Sequence, residues 1–138
     1  FTNKKCVTVK LDSFITKKKL NGSLFVKIDA EGSEKLVFYG MKKSLKKCEM
    51  SGYFEYGQSW ENFKFKLRDV FYLLKDLNYN IYRICNEGLI HMRYFNTIDE
   101  NFYNSLYFFT KKNLKDYGFK KRLIPSLTSI KKDEIYIY

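Results

Sequence analysis

Three carboxylates follow or end apolar runs of strand length, where they could do chemistry. Asp29 and Glu31 come directly after residues 24–28, and Glu55 lies in the next such run, residues 53–56. If both runs are parallel strands joined by a right-handed crossover, their carboxyl ends meet at one edge of a sheet. Clustered acids at such an edge can orient a hydroxyl group, act as a base, or hold a divalent cation.

An ordinary structural role competes with this chemistry at each position. Acids near helix starts and in loops commonly satisfy backbone amides, and geometry alone favours that role for these three. Lys27 has two interpretations, an ion pair with Asp29 or a contact to a substrate. The single histidine, His91, falls in a predicted strand far from the acids and is interpreted as a half-buried strand residue.

The elements around the acids alternate between strand and helix patterns. Apolar residues at helical spacing predict one helix over residues 34–45 and a second over residues 61–77. Further strands are predicted at residues 6–11, 80–85, 89–94 and 106–109. This order indicates an α/β fold with a mostly parallel sheet that ends in an antiparallel hairpin.

The chain contains one proline, Pro125, and no Gly/Ser-rich linker. We therefore predict one unit over residues 1–117 and a basic extension over residues 118–138, in which residues 135–138 could add an edge strand.

Composition excludes several classes of protein. The chain has 138 residues and is 45% hydrophobic, which is typical of a folded domain rather than of disorder. It contains no apolar run long enough to span a membrane, so we expect a cytoplasmic protein. Its three cysteines are too widely spaced for a disulfide framework or a zinc site, and we expect reduced thiols in the core.

The formal charge of +11 raises the hypothesis of a nucleic-acid-binding protein whose aromatic residues stack on bases. The lysine clusters are spread along the whole sequence, however, which argues against a dedicated nucleic-acid surface. We therefore expect no specific nucleic-acid partner.

Two ordered motifs resemble a known family. The string IDAEGSE at residues 28–34, followed by Leu36, Val37, Gly40 and Met41, resembles the IKIDVEGAE motif of FkbM-type methyltransferases. Downstream, FEYG at residues 54–57 and IYRI at residues 81–84 resemble the FEFG strand and the GYKIYRI strand of that family. Asp12 lies in a segment similar to the family's TLDDL, and the resemblance covers about residues 6 to 110.

The resemblance implies a Rossmann-like class I methyltransferase sheet of order 3-2-1-4-5-7-6, of which this chain supplies strand 4 onward. It implies S-adenosylmethionine as the methyl donor and a small-molecule or glycan hydroxyl as the acceptor, on a sugar, a glycolipid or another natural product. Asp29, Glu31 and Glu55 would lie near the transfer site. By similarity to catechol-type O-methyltransferases, Asp29 is also a candidate ligand for a divalent metal.

One departure from the family pattern concerns the cofactor. The seven glycines never form a G-x-G, so no cofactor-binding glycine loop can be assigned in this chain. We expect that loop in an N-terminal half of the domain, that this chain alone is inactive, and that residues 24–28 expose an apolar edge prone to association. The alternative is a non-catalytic remnant or interaction module of the same fold.

Overall fold

In a computed structural model of the chain, residues 7–20, 22–124 and 133–137 are described. Within them the α-helices are α1 Leu11–Lys17, α2 Glu34–Gly40, α3 Lys42–Lys47 and α4 Leu67–Asp76. The strands are β1 Ser23–Ile28, β2 Glu49–Tyr56, β3 Asn80–Cys85, β4 Gly88–His91, β5 Ser105–Thr110, β6 Lys120–Ile124 and β7 Asp133–Ile137. Short 3-10 helices span Gln58–Phe63, Thr97–Asn101 and Leu114–Tyr117.

The seven described strands form one open sheet in the order β1-β2-β5-β3-β4-β7-β6. The prediction of an α/β fold is confirmed, but the prediction of a mostly parallel sheet is wrong. Among the described strands, only β1 and β2 pair in parallel. The reason is the position of β5, which lies between β2 and β3 and runs antiparallel to both. β3 therefore runs in the direction of β1 and β2 without a parallel neighbour.

The main core lies on the sheet face that α2, α3 and α4 cover. Alternation along β1 sends Leu24, Val26 and Ile28 toward this core and leaves Phe25 and Lys27 exposed on the other side. Phe38 of α2 packs edge-on against two rings of the sheet, Phe54 at 5.1 Å and Phe109 at 5.4 Å between centroids. Such pairs contribute about 0.5–1.5 kcal/mol each beyond the area they bury.

The helix predicted over residues 61–77 begins later than expected. Gln58–Phe63 forms a 3-10 helix anchored by buried Trp60, and Lys64 takes a left-handed conformation (φ 55°) that ends it. The α-helix starts at Leu67. Of the predicted apolar stripe, Leu67, Val70, Phe71 and Leu74 are buried and Leu77 is half-buried, whereas Phe63 lies in the 3-10 helix and is exposed.

Two other sequence expectations near the amino terminus are corrected. Residues 7–10 form no strand and Leu11–Lys17 is helical, so the strand predicted over residues 6–11 is wrong, while Cys6 lies outside the described residues. The helix predicted over residues 34–45 is two helices, which meet at Met41. The helical form of α1 lets Asp12 reach the start of α3, as described below.

Residues after Gly118 add two strands to the sheet. β7 confirms the strand predicted near the carboxyl end, but it lies between β4 and β6 rather than at the edge.

His91 is half-buried in β4 and stacks on Tyr82, as expected for a strand residue. Cys48 and Cys85 are free and partly buried, and the longest described helix, α4, has ten residues. No helix in the described ranges is long and apolar enough to cross a membrane.

Candidate functional site

The carboxyl ends of β1 and β2 bring two of the three predicted acids to one edge of the sheet. In the parallel register, Ile28 is opposite Phe54. Asp29 directly follows Ile28, and Glu55 directly follows Phe54, so both occupy the next step along neighbouring strands. The expected common edge is therefore present, while the roles of these acids stay predictions.

Lys27 lies on the exposed sheet face and forms an ion pair with Asp29, with 3.0 Å between Nζ and the carboxylate oxygen. The hydrogen bond and charge of Asp29 raise the pKa of Lys27, and Tyr53 and Glu55 add to that shift against a small effect of burial. Lys27 is therefore a fixed positive charge near both acids. It is solvent-exposed, and its contribution to folding is small.

The loop after β1 has an unusual backbone. Glu31 is exposed and adopts a left-handed conformation with φ 49°, and Gly32 follows with φ 101°. A Cβ at Gly32 would lie 2.5 Å from the carbonyl oxygen of Ser59, so only glycine fits this contact. The loop is thus packed against the 3-10 helix that follows β2. Among the described contacts, none joins the Glu31 side chain to Asp29 or Glu55.

Glu34 holds this loop in place. Its carboxylate is buried and accepts hydrogen bonds from the backbone amides of Ala30 at 2.8 Å and Gly32 at 2.9 Å. The sequence pattern places Glu34 in the first turn of a helix, but it gives no sign of this burial. Of the acids in the IDAEGSE string, Glu34 therefore has the ordinary structural role.

The start of β5 returns to the same edge. Because β5 is antiparallel to β2, with Tyr56 opposite Ser105, the turn before β5 lies beside the carboxyl end of β2. Tyr103 in this turn stacks on Tyr56 with 5.5 Å between ring centroids and donates a hydrogen bond to Glu61. Burial, reinforced by Tyr103 and Glu100, raises the pKa of Tyr56 well above its usual range, so its hydroxyl stays protonated.

The segment before this turn is fixed to α4 by a bidentate ion pair. Arg68 donates from Nε and Nη2 to the two oxygens of Glu100, at 2.8 and 3.0 Å. Glu100 also accepts a hydrogen bond from the Tyr56 hydroxyl through its backbone carbonyl, at 3.2 Å. These contacts join the segment before Tyr103 to α4 and to the end of β2. Sequence reasoning missed Tyr103 and Glu100, which only the β2–β5 register brings here, and Glu61, which lies in the 3-10 helix after β2 and pairs with Tyr103.

Metal ligands are not concentrated at this edge. Within the described part of the chain, no group of three His, Cys, Asp or Glu side chains is placed to hold a metal ion. Asp29 is paired through one carboxylate oxygen with Lys27, and the metal role that the resemblance implies for it stays a prediction. A cavity of about 200 Å³ lies elsewhere, between α1 and α3, with Asp12, Lys43 and Cys48 in its lining.

Comparison with protein-family models identifies a family for the amino-terminal part of the chain. The model of the Methyltransferase FkbM domain matches residues 1–81, which include β1, the loop after it, β2, α4 and the first residues of β3. Neither the curated proteins nor the solved structures contain a significant match to the chain.

Proposed function

The chain belongs to the FkbM methyltransferase domain family, and from that membership we propose that it takes part in S-adenosylmethionine-dependent methyl transfer to a hydroxyl group. The observation that carries this proposal is the shared edge of β1 and β2, where Asp29 and Glu55 follow paired residues within the matched segment.

The sheet order supports a Rossmann-like class I assignment. A class I sheet ends in the order 4-5-7-6, in which only the strand numbered 7 is antiparallel to the others. The order β1-β2-β5-β3 has the same pattern of directions. We therefore assign β1 to strand 4, β2 to strand 5, β5 to strand 7 and β3 to strand 6.

The proposed chemistry is a direct displacement. S-adenosylmethionine supplies a methyl group bound to a positively charged sulfur. The negative charges of the two carboxylates at this edge, Asp29 and Glu55, would attract that sulfur. Asp29 receives the proton of the acceptor hydroxyl while the acceptor oxygen bonds to the methyl carbon and the carbon–sulfur bond breaks. Glu55 orients the hydroxyl, and Glu31 lies in the adjoining loop as the third acid of the site.

The free side of β1 suggests what completes the site. β1 is the terminal strand of the described sheet, so one side of its backbone has no partner strand there. In a class I sheet, strand 1 pairs with this side and carries the glycine-rich cofactor loop. We propose that an N-terminal half of the methyltransferase domain pairs along β1 and supplies that loop, because the glycines of this chain form no G-x-G.

The test is methyl transfer by the whole methyltransferase domain that contains this chain. With radiolabelled S-adenosylmethionine and a panel of hydroxylated acceptors, Asp29→Ala is expected to lower kcat by about 10²–10⁴-fold, the usual range for losing a general base. The matched control is Asp76→Ala, at the exposed carboxyl end of α4. Equal activity of the two variants would remove Asp29 from the chemistry.

A second candidate, a non-catalytic interaction module, is favoured by the missing G-x-G alone. Calorimetry with S-adenosylhomocysteine separates the two. Binding by the whole domain supports the enzyme, whereas a cooperatively folded whole domain that gives no heat of binding supports the module.

A further inference from the structure

Two lysine clusters from separate parts of the sequence meet on one surface of the structure. Their members are all exposed: Lys17, Lys18 and Lys19 at the end of α1, and Lys42, Lys43, Lys46 and Lys47 in α3. The two helices are in contact, and the Asp12 carboxylate of α1 accepts hydrogen bonds from the backbone amides of Lys43 and Ser44. We call these seven lysines the α1–α3 basic surface.

The positive charge of this surface is not neutralised within the described structure. Ser44 and Leu45 of α3 are buried, so helical spacing directs the four lysines of α3 to the opposite, outer side. Among the ion pairs of the described residues, none involves the seven lysines. The acid that follows α3, Glu49, pairs with Lys112 instead. The surface therefore attracts an anionic partner.

The cavity of about 200 Å³ between α1 and α3 adds apolar contacts to this charge. Its lining combines the apolar side chains of Ile15, Leu20 and Cys48 with the exposed lysines Lys19, Lys43 and Lys47. Two hydroxyl groups beside them donate within the protein, that of Thr16 to the carbonyl of Asp12 and that of Ser44 to its carboxylate. A ligand in this cavity therefore meets positive charge and apolar surface together.

This combination selects the class of partner. Lysine ammonium groups bind phosphate and carboxylate oxygens, which both nucleic acids and anionic lipids carry. A sugar–phosphate backbone offers no aliphatic chain for Leu20, which is 44% exposed, whereas a phospholipid does. Phe14, also 44% exposed, lies one helical turn before Lys17 on α1 and adds an aromatic ring beside the charges. Basic and apolar side chains mixed in this way are typical of surfaces that lie at a bilayer interface.

We propose that the α1–α3 basic surface docks on a bilayer that contains anionic phospholipid. A phosphate-bearing headgroup lies between the three lysines of the cavity, and Leu20 and Phe14 reach the boundary of the acyl chains. This inference does not depend on the proposed function. Because α1 and α3 lead into the amino ends of β1 and β2, the docked surface is at the opposite end of these strands from Asp29 and Glu55. Docking therefore leaves the proposed transfer edge open.

The test is flotation of the chain with vesicles in a density gradient, in which self-associated protein sinks and cannot imitate binding. We expect flotation with phosphatidylcholine vesicles that contain about one third phosphatidylserine, and none with phosphatidylcholine alone. Lys43→Gln combined with Lys47→Gln should lower the partition coefficient at least about tenfold, because each lysine at an anionic bilayer contributes about fivefold. Both side chains are exposed, so the fold is expected to persist.

The matched control removes the same charge elsewhere. Lys64 follows the 3-10 helix after β2 and Lys120 begins β6, and both are exposed. Lys64→Gln combined with Lys120→Gln should change the partition coefficient by less than about twofold, since neither lysine belongs to the docking surface. Leu20→Ser should lower the coefficient by about threefold through lost apolar burial, without changing its dependence on salt.

Three results would overturn the inference. The first is no flotation with the anionic vesicles, including the case in which inorganic phosphate alone gives a saturable heat of binding. The second is an equal loss in the control pair, which would reduce the effect to net charge. The third is a single-stranded oligouridine RNA that displaces the chain from vesicles and whose own binding needs Lys43 and Lys47 but not Leu20. That result would assign the surface to a nucleic acid.

Discussion

The carboxylate of Glu34 accepts a hydrogen bond from the backbone amide of Gly32, with 2.9 Å between nitrogen and oxygen. This bond closes the loop that leads from β1 to α2. The same carboxylate accepts the amide of Ala30 at 2.8 Å. Both amides lie in the loop before α2, and no other described residue accepts a hydrogen bond from them. The position of the loop next to Asp29 therefore depends on a buried acid that does no chemistry in the proposed reaction.

Replacing Glu34 with glutamine tests this dependence. A neutral amide keeps one acceptor oxygen, so one backbone amide loses its partner and the other loses a charge-assisted bond. We expect the free energy of unfolding to fall by about 1–3 kcal/mol in urea denaturation. The control is Glu31→Gln, whose exposed side chain should change stability by less than about 0.5 kcal/mol. Similar stability of the two variants would contradict the role given to Glu34.

Gly32→Ala tests the packing of the same loop. Its Cβ would lie 2.5 Å from the carbonyl oxygen of Ser59, at a φ of 101° that disfavours any side chain. Strain and overpacking together should destabilise the fold by about 2–5 kcal/mol. Gly40→Ala, which meets no close contact, should have no such cost. If Gly32→Ala unfolds at the same temperature as the unaltered chain, the loop does not pack on Ser59 in solution.

The sequence predicts the parts of the site that depend on local pattern. An apolar run followed by polar residues identifies β1 and places Asp29 and Glu31 at its end, and the stripe of α4 is visible from spacing alone. The strand–helix–strand order also predicts that β1 and β2 are neighbours with one common edge, and the family resemblance implies the same.

The rest of the site depends on contacts between distant residues. Asn104, for example, lies near Gly57 only because of the antiparallel register of β2 and β5. The late start of α4 is another example. The sequence pattern around the buried Trp60 fits a 3-10 turn as well as an α-helical turn, so it does not show where the α-helix begins. In the same way, periodicity cannot show that Leu11–Lys17 is helical, because that helix is held in part by Asp12 at the start of α3.

Asp12 should make the stability of the fold depend on pH. Burial raises the pKa of this carboxyl, but hydrogen bonds from the hydroxyl and amide of Ser44 and the amide of Lys43 outweigh it and lower the pKa below its ordinary value. A folded pKa below the unfolded one stabilises the fold above the unfolded pKa of about 4, and this stability is lost as pH falls through the folded pKa.

The variant for this prediction is Asp12→Asn. At neutral pH it should be about 0.5–1.5 kcal/mol less stable than the unaltered chain, because the amide keeps one acceptor oxygen and no charge for Ser44 and Lys43, and its stability should fall less steeply below about pH 4. Urea denaturation across pH 2.5 to 7, as an approximate range spanning the usual carboxyl pKa values, measures both effects. Asp76→Asn serves as the control at an exposed position. Parallel pH profiles for Asp12→Asn and the unaltered chain would contradict the assignment.

The exposed side of β1 should make the isolated chain self-associate. Among the described strands, β1 has a neighbour on one side only, and Phe25 on this strand is 65% exposed. An edge that combines unpaired backbone groups with apolar side chains readily pairs with another copy.

We expect the mass measured by light scattering to rise with protein concentration. Phe25→Lys should reduce that rise, because the introduced charges would repel each other across paired edges. Leu36→Lys on α2, where the leucine is 54% exposed, changes charge and hydrophobicity equally and should leave association unaltered. A monodisperse monomer at every concentration would count against both the free edge and the proposed N-terminal half that pairs with it.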